Sequence, residues 1–293
     1  MSGQPLFLMT DPRHFGVFYQ INPWMEPGAW SADPSAFHAA ALGASDQLRA
    51  CLRVMGAEID VLAPVAGLPD LVFPANAAVV LDGKALVARF KHPERQGEEP
   101  VFRSAFLALK KRKLLREVIE LPAGVLQEGA GDCIWDAQRR LFWAGFGQRS
   151  TVNSLDAIKT VFSQDVVGLE LASPRFYHLD TCFCSLSGGQ VLYHPPAFTP
   201  AALAQIHAHV APGDRIEASR EEAAAFCVNA VNIGDQIVMA RAPLSLRRKL
   251  VERGYRPQEV DLAPFILSGG GAYCMTLRLD LRSESAARLR AAE

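Results

Sequence analysis

The chain repeats one pattern of apolar and polar positions about five times. In each copy a polar residue opens an apolar strand, and in most copies a turn and a second apolar strand follow. In the first copy Asn76 precedes apolar positions 77–81, Asp82-Gly83 form the turn, and positions 85–90 return. The opening residues, spaced 56, 46, 51 and 45 positions apart, are Asn76, Asp132, His178, Asn229 and Cys274. Repeats of this length predict one supersecondary unit used several times.

Helices and further strands separate these copies. Ser31 or Asp33 is predicted to cap the first helix, and Ser219 with Glu222 fits a capping box. Stretches 23–28 and 93–100, which contain proline and glycine, predict loops. The predicted helices run to Met55 and over 102–117, 155–162, 199 onward, 223–226 and 244–253, and the strands cover 59–62, 118–121, 168–171, 215–216 and 260–262.

The repeating unit is therefore strand, polar residue, hairpin, helix and strand. No serine- and glycine-rich linker or block of charge interrupts it, so one domain over residues 1–293 is expected, with two small domains as the alternative. If the units lie around an axis, their opening residues converge, and those residue types are typical of an active site.

Composition narrows the function classes. A chain of 293 residues that is 49% hydrophobic can bury a large core. Its net charge of −1 recruits neither nucleic acid nor an anionic membrane, and the basic residues at 110–116 are interpreted as a solvated helix face. No apolar run approaches the ~18 residues of a membrane span, and no signal peptide is recognised. We therefore expect a cytoplasmic protein with six reduced cysteines.

Cys274 and His178 are the two opening residues with nucleophilic or proton-transfer chemistry. Glycines at 269–271 precede Cys274, so the backbone there can approach a ligand closely. Cysteine becomes a nucleophile where a base lowers its pKa, and histidine transfers protons near neutral pH. Either residue alone would more often belong to a core. Their equivalent places in the repeat favour a catalytic pair.

Acidic residues accompany these positions. Glu128 and Asp132 lie four apart on a glycine-rich turn and can grip a cation, although local backbone bonding by Asp132 is an alternative. Asp70 flanks the segment before Asn76 and could be a simple turn residue. Cys182 and Cys184 lack a second Cys or His pair at ligand spacing, so no metal site is predicted.

Three motifs, in this order, carry a family resemblance: Glu128-Gly-Ala-Gly-Asp132, His178-Leu-Asp180 and Gly269-Gly-Gly-Ala-Tyr-Cys274. Together they resemble the guanidine-modifying (amidinotransferase) superfamily over nearly the whole chain. That superfamily includes arginine deiminases, dimethylarginine dimethylaminohydrolases, amidinotransferases and arginine dihydrolases. The resemblance implies the α/β pentein fold, a five-bladed propeller of ββαβ units, which agrees with the repeat.

The resemblance also implies a role for each matching residue. Cys274 resembles the nucleophile and His178 the general acid/base, while Glu128 resembles the carboxylate that orients the guanidinium, on a turn that Asp132 supports. Asp70 falls where family members hold the guanidinium nitrogens. Arg95 and Arg149 fall where they bind a substrate carboxylate, although surface arginine is the alternative for each. The implied partner is a small guanidino substrate, without a cofactor, and homo-oligomerisation is left open.

Asn76 and the segment around Asn22 favour the arginine dihydrolase subgroup. Deiminase-like members usually carry Asp where this chain reads Phe73-Pro-Ala-Asn76, whereas dihydrolases read Phe-Thr-Ala-Asn-Ala-Gly; Pro74 and Ala78 depart from that segment. The stretch Ile21-Asn22-Pro23-Trp24-Met25 is also similar to that subgroup. The expected reaction converts arginine to ornithine, carbon dioxide and ammonia through a covalent thiouronium. The alternatives are a dimethylargininase or deiminase that gives citrulline, an amidinotransferase, and a non-catalytic binding protein.

Overall fold

The computed structural model describes residues 4–284. Its strands form five three-stranded sheets, and in each sheet an antiparallel pair is joined by a third strand that lies parallel to the middle one. The strands are β1 (Leu6–Thr10), β2 (Glu58–Leu62), β3 (Ala78–Leu81), β4 (Lys84–Val87), β5 (Glu117–Ile119), β6 (Cys133–Asp136), β7 (Leu141–Phe146), β8 (Asp165–Glu170), β9 (Phe183–Ser185), β10 (Val191–Tyr193), β11 (Arg215–Glu217), β12 (Val231–Ile233), β13 (Gln236–Ala240), β14 (Arg256–Val260) and β15 (Leu277–Arg278).

Helices connect the middle strand of each sheet to its parallel neighbour. These connecting helices are α1 (Pro27–Ala32), α2 (Pro34–Val54), α3 (Pro93–Gln96), α4 (Glu98–Lys111), α5 (Ser154–Phe162), α6 (Pro200–His209) and α8 (Leu244–Val251). Two further helices, α7 (Arg220–Ala224) and α9 (Ala263–Ile266), connect one sheet to the next. The predicted ββαβ unit and its five-bladed arrangement are confirmed. The first strands of the hairpins lie innermost, where β6 contacts β3 and β9.

The first sheet is closed by the two ends of the described chain. β15 pairs antiparallel with β1, with Phe7 opposite Arg278, and β1 pairs parallel with β2, with Leu6 opposite Glu58. The fifth copy of the repeat, which has a single strand after Cys274, therefore obtains its second strand from the beginning of the chain. This pairing closes the propeller.

Local sequence signals account for most helix ends. Asp33 caps α2 by accepting from the backbone N–H of Ala36, and Ser219 with Glu222 forms the predicted capping box before α7. The helix predicted over 102–117 is wrong at both ends. It begins within the stretch predicted as a loop, and the chain turns at Lys113, which adopts a φ of 63°.

Two prolines explain other differences from the prediction. Pro93 occupies the first turn of α3, where a missing N–H costs nothing, so part of the predicted loop is helical; the same holds for Pro27 in α1. The strand predicted over 260–262 is also wrong, because β14 ends at Val260. β14 tolerates Pro257 since it lies at the edge of its sheet.

The core lies between the sheets and the outer helices. In the second blade, Phe102, Phe106 and Leu109 recur at helical spacing in α4 and pack in one apolar cluster with Val80 and Val87 of the sheet. Such packing holds each inner strand, and the turn before it, at the axis. Within residues 4–284, no helix is long and apolar enough to cross a membrane.

Candidate active site

The five opening residues meet near the axis. All are at least 98% buried, although each is polar or carries a thiol. Short 3₁₀ turns precede three of the inner strands and contain or border Asn76, Asp132 and His178. The side chains of Asn76 and His178 approach to 3.4 Å, and those of Asn229 and Cys274 to 3.0 Å. The predicted convergence is therefore confirmed.

Cys274 lies between an acid and an amide. Its Sγ is 3.1 Å from Oδ2 of Asp180 and 3.0 Å from Nδ2 of Asn229. Burial and the neighbouring Asp180 raise the pKa of the Cys274 thiol well above its ordinary value. Burial likewise raises the pKa of Asp180 to about 7. Both shifts disfavour the ionised forms of these two groups.

The glycines before Cys274 are required by close packing. A Cβ on Gly270 would lie 2.1 Å from the ring of Phe73, and one on Gly271 would lie 2.7 Å from Oδ1 of Asn229. Larger residues would displace the segment that carries the thiol.

His178 is held by Glu128. Nε2 of His178 and Oε2 of Glu128 are 2.7 Å apart, and Nη1 of Arg149 donates to the same oxygen at 3.0 Å. Burial alone would raise the pKa of Glu128, but Arg149 and the hydrogen bond from His178 lower it below its ordinary value. Glu128 therefore provides a fixed negative charge beside the imidazole.

The amide of Asn76 has a defined orientation. Its Oδ1 accepts from Nη1 of Arg95 at 2.8 Å, and because arginine only donates, Nδ2 must face His178 and the backbone oxygen of Glu128. Nδ1 of His178 then acts as an acceptor, which places the proton of the neutral ring on Nε2, facing Glu128.

Arg95 is almost fully occupied by the protein. Its Nε and Nη2 bind both carboxylate oxygens of Glu98 at 2.9 and 2.8 Å, and Nη2 also donates to the backbone oxygen of Asp70. With the bond to Asn76, four of its five N–H groups are used. Arg149 uses two, on Glu128 and on the backbone oxygen of Ile21. Arg149 thus keeps more donors for a ligand.

Asp132 joins two neighbouring blades. It accepts from the hydroxyl of Ser150 at 2.6 Å and from the backbone N–H of Leu179 at 3.0 Å. Burial raises the pKa of Asp132 to about 6. These contacts support the residue that follows His178 and, because Ser150 accepts from the backbone N–H of Glu128, the turn that carries Glu128.

A small cleft opens beside Cys274. It is lined by Ile21, Asn22, Asp70, Phe73, Asn76, Arg95, Arg149, Tyr177, Ser268, Gly270 and Cys274. All of the predicted substrate-binding residues except Asp132 therefore reach it. Glu128, Asp132 and His178 are not among the lining residues and lie behind this wall.

Asp70 and Asn22 are fixed on opposite sides of Ser268. The carboxylate of Asp70 accepts from the hydroxyls of Ser268, at 3.0 Å, and Tyr19, at 2.9 Å. Nδ2 of Asn22 donates to the backbone oxygen of Ser268, while its Oδ1 accepts from the N–H groups of Trp24 and Met25. Asn22 thereby ties the segment 21–25 to the loop before Cys274.

Asp180 and Asn229 lie beside Cys274, although the sequence alone assigns neither residue a role. Asp180 belongs to the motif His178-Leu-Asp180, and that motif was the available signal for its place next to Cys274. Its Oδ1 is buried and has no hydrogen-bond partner in the described part of the chain. Asn229 was recognised only by its place in the repeat. Among residues 4–284, no group of three or more His, Cys, Asp or Glu side chains could hold a metal ion.

Comparison with known proteins identifies the family. A family model described as N,N dimethylarginine dimethylhydrolase, eukaryotic, matches residues 20–281. The chain belongs to this family. The expected membership of the guanidine-modifying superfamily is therefore confirmed.

Curated relatives with a named activity are of two kinds. The bifunctional arginine dihydrolase/ornithine cyclodeaminase ArgZ of Synechocystis is 40% identical over 95% of this chain and 38% of its own length. Its counterpart AgrE of Nostoc is 38% identical over the same shares. This chain thus spans about two fifths of these two relatives. The dimethylarginine dimethylaminohydrolase of Mycobacterium tuberculosis is 35% identical over 93% of this chain and 85% of its own length.

Solved structures show the same fold. The N-terminal domain of ArgZ bound to substrate superposes with a TM-score of 0.89 at 39% identity, covering 96% of this chain and 100% of that domain. A dimethylarginine dimethylaminohydrolase adduct has a TM-score of 0.76 at 20% identity, over 94% of this chain and 99% of that one. The second similarity shows the fold alone.

Proposed function

We propose that this chain hydrolyses the guanidino group of arginine to ornithine, carbon dioxide and two molecules of ammonia. The observation that carries the proposal is that Cys274 lies in a cleft with the carboxylate of Asp70 and the neutral amide of Asn76, backed by the pair of His178 and Glu128. The similarity to ArgZ and AgrE, named as arginine dihydrolases, supports the same reaction.

Two carboxylates bind the guanidinium in this proposal. Asp70 lines the cleft, and Asp180 has an unpartnered oxygen beside Cys274. Charge-assisted hydrogen bonds from a planar cation would satisfy both acids. The remaining N–H groups of Arg149 bind the carboxylate end of the substrate, since Arg95 retains a single free N–H.

The substrate cation itself promotes formation of the nucleophile. A positive charge beside Asp180 and Cys274 offsets the burial that disfavours their ionised forms. The thiol passes its proton to His178, and the thiolate attacks the guanidinium carbon to give a tetrahedral adduct. The adduct expels ammonia, which takes its proton from His178, and leaves a thiouronium on Cys274.

His178, paired with Glu128, transfers the protons of hydrolysis. The imidazole removes a proton from the incoming water, the resulting hydroxide attacks the thiouronium carbon, and the C–S bond breaks. Glu128, 2.7 Å from Nε2, stabilises the imidazolium that forms. Each transfer of this kind contributes about 10²–10⁴-fold to the rate. Glu128 therefore acts through His178, whereas the resemblance suggests that it holds the guanidinium directly.

A second cycle on the retained ureido intermediate completes the reaction. Cys274 displaces the second ammonia, and a second water releases the carbon as carbon dioxide with ornithine. The intermediate is neutral, and the uncharged amide of Asn76 suits such a group better than a carboxylate, which favours a cation. An ArgZ domain with an asparagine-to-serine substitution has been solved covalently bound to a reaction intermediate.

The second candidate function is hydrolysis of dimethylarginine to citrulline. The matching family model and the Mycobacterium tuberculosis relative favour it. The same thiol, histidine and carboxylates would serve, with a methylated amine as the leaving group.

We further propose that residues 1–293 form a single catalytic domain that works in the cytoplasm on a small guanidino substrate.

Product analysis tests the proposal. Purified protein is incubated with arginine or dimethylarginine, with and without an amine acceptor, and the products are identified by mass spectrometry. Ornithine with two ammonia per arginine is expected. Three other results would overturn it. Citrulline as the only product would indicate a deiminase, and release of a methylated amine from dimethylarginine, without turnover of arginine, would indicate a dimethylargininase. Ornithine without ammonia would indicate an amidinotransferase. Activity that survives Cys274→Ser would remove the cysteine mechanism.

A further inference from the structure

Asn229 makes four hydrogen bonds around the nucleophile. Its Oδ1 accepts from the backbone N–H groups of Tyr273, at 3.0 Å, and Cys274, at 3.2 Å. Its Nδ2 lies 3.0 Å from Sγ of Cys274 and 3.1 Å from the backbone oxygen of Asp180. Asn229 is completely buried, so water does not compete for these bonds.

The two bonds from the backbone fix the orientation of the amide. Backbone N–H groups only donate, so the atom that faces Tyr273 and Cys274 must be the oxygen. The nitrogen therefore faces Sγ, and one of its N–H groups points at the sulfur. Gly271 permits this approach, because a Cβ there would lie 2.7 Å from Oδ1 of Asn229.

We propose that Asn229 is a positioning residue that stabilises the thiolate of Cys274 and aims it into the cleft. This role rests on the proposed function, in which Cys274 is the nucleophile. The same amide holds the backbone of Asp180, so one side chain fixes the thiol relative to the acid beside it.

The charges around Sγ show why a donor is needed there. Asp180 disfavours the thiolate, as does burial, while Asn229 and the backbone of Gly271 lower the pKa of the thiol. Tyr177, Asp70, Arg95 and Arg149 line the same cleft as the thiol. The guanidinium of the substrate is present only while substrate is bound, whereas the Asn229 amide stays beside Sγ throughout the cycle.

The test measures how fast the Cys274 thiol is alkylated in the absence of substrate. Alkylation of Cys274 by a small neutral reagent is followed across pH by mass spectrometry of its peptide, in the wild type and in Asn229→Leu, which keeps the volume but removes the donor. We expect the variant to react about ten-fold more slowly at neutral pH, with its pH profile displaced upwards by about one unit. An unchanged profile would overturn the proposal.

Asn229→Asp provides a second variant that keeps an oxygen for the N–H groups of Tyr273 and Cys274. It should slow alkylation at least as much as Asn229→Leu, because the N–H donor is replaced by an acceptor; alkylation at the wild-type rate would overturn the role.

Asn232→Leu is the matched control, since the amide of Asn232 also makes several hydrogen bonds, to Ser187, Gly234 and Gln236, but none to Cys274. Its alkylation profile should match the wild type, and a displaced profile would overturn the assignment to the Asn229 amide.

Activity then separates this role from the proposed function. With arginine, Asn229→Leu should lose mainly kcat, by about ten-fold, and should recover part of it as the pH rises, with a small change in KM. If Asn229→Leu shows the displaced alkylation profile but wild-type protein does not turn over any guanidino compound, the positioning role stands and the proposed function fails. If Asn229→Leu is alkylated and turns over arginine like the wild type, the proposed function stands and the positioning role fails.

Discussion

Arg95 donates from Nη1 to Oδ1 of Asn76 at 2.8 Å, and this bond fixes which end of the Asn76 amide faces His178. Both residues line the cleft, and the bidentate pair with Glu98 holds the guanidinium of Arg95 in place. Arg95 therefore presents a protein amide to the substrate in a single orientation. A role in binding the substrate carboxylate stays a prediction, with one N–H available for it.

Replacing Asn76 with aspartate should change the product. A carboxylate at this position can still accept from Arg95, but its negative charge favours a cation over a neutral ureido group, so citrulline should be released after one cycle. We expect Asn76→Asp to consume arginine within about ten-fold of the wild-type rate, with citrulline as the main product and one ammonia per arginine. Mass spectrometry of products from isotope-labelled arginine measures this, with Asn232→Asp as the control. Ornithine as the continued main product would contradict the assignment.

Removing the charge of Glu128 should slow proton transfer. In Glu128→Gln the imidazolium of His178 loses its anionic partner, although the shape of the side chain is kept. We expect kcat to fall about 10²-fold or more with a smaller change in KM. Steady-state kinetics with arginine measures the effect, and Glu221→Gln, on the exposed surface of α7, should leave it unchanged. A larger effect on KM than on kcat would instead indicate that Glu128 holds the substrate.

Asp180 should give the free protein a distinctive dependence of stability on pH. Its pKa is raised from 3.8 to about 7, so between these values the folded protein binds more protons than the unfolded chain. Stability contributed by Asp180 is therefore present below pH 4 and is lost as the pH rises towards 7. The free energy of unfolding of wild type relative to Asp180→Asn should fall by up to about 4 kcal/mol over this interval. Denaturant titrations at several pH values measure it, and a flat difference would contradict the shift.

Gly131 should not tolerate a side chain. A Cβ there would lie 2.2 Å from Nδ2 of Asn76, so Gly131→Ala must displace that amide or the turn that carries Glu128. We expect at least about a ten-fold loss of activity, in line with the sensitivity of catalysis to small misplacements. Gly43→Ala is the control, because nothing lies within 4 Å of the added Cβ in α2. That variant should keep full activity, and equal activity of Gly131→Ala would show that the site adapts.

Breaking the pair of Arg95 and Glu98 should destabilise the fold. Their side chains are 4% and 1% exposed, so Arg95→Ala leaves a buried carboxylate without its partner. We expect a loss of about 3–5 kcal/mol in the free energy of unfolding. The exposed pair of Arg103 and Glu120 offers the comparison, and Arg103→Ala should cost less than about 1 kcal/mol. Thermal and denaturant unfolding measure both, and similar costs would contradict the distinction.

The sequence by itself determined the repeat, its opening residues and the caps of two helices. These features depend on near neighbours in the chain: continuous apolar runs mark the strands, Asp33 accepts from the N–H of Ala36 three residues on, and Ser219 and Glu222 bond to each other's backbone N–H groups. Family motifs added Cys274, His178 and Glu128, because their residue types and order are themselves the signal. Helix ends such as Lys111 were less accurate, since they depend on backbone geometry beyond local spacing.

Only the tertiary structure decided which side chains the opening residues contact. Asp180 reaches Cys274 across 94 positions and Asn229 does so across 45, and no local pattern encodes such distances. The pairing of β1 with β15, which joins the two ends of the described chain, is likewise not encoded in any local pattern. A buried polar group must find its hydrogen-bond partner wherever the fold brings one near. That requirement gave Asn229 its role and turned Arg95 towards Asn76.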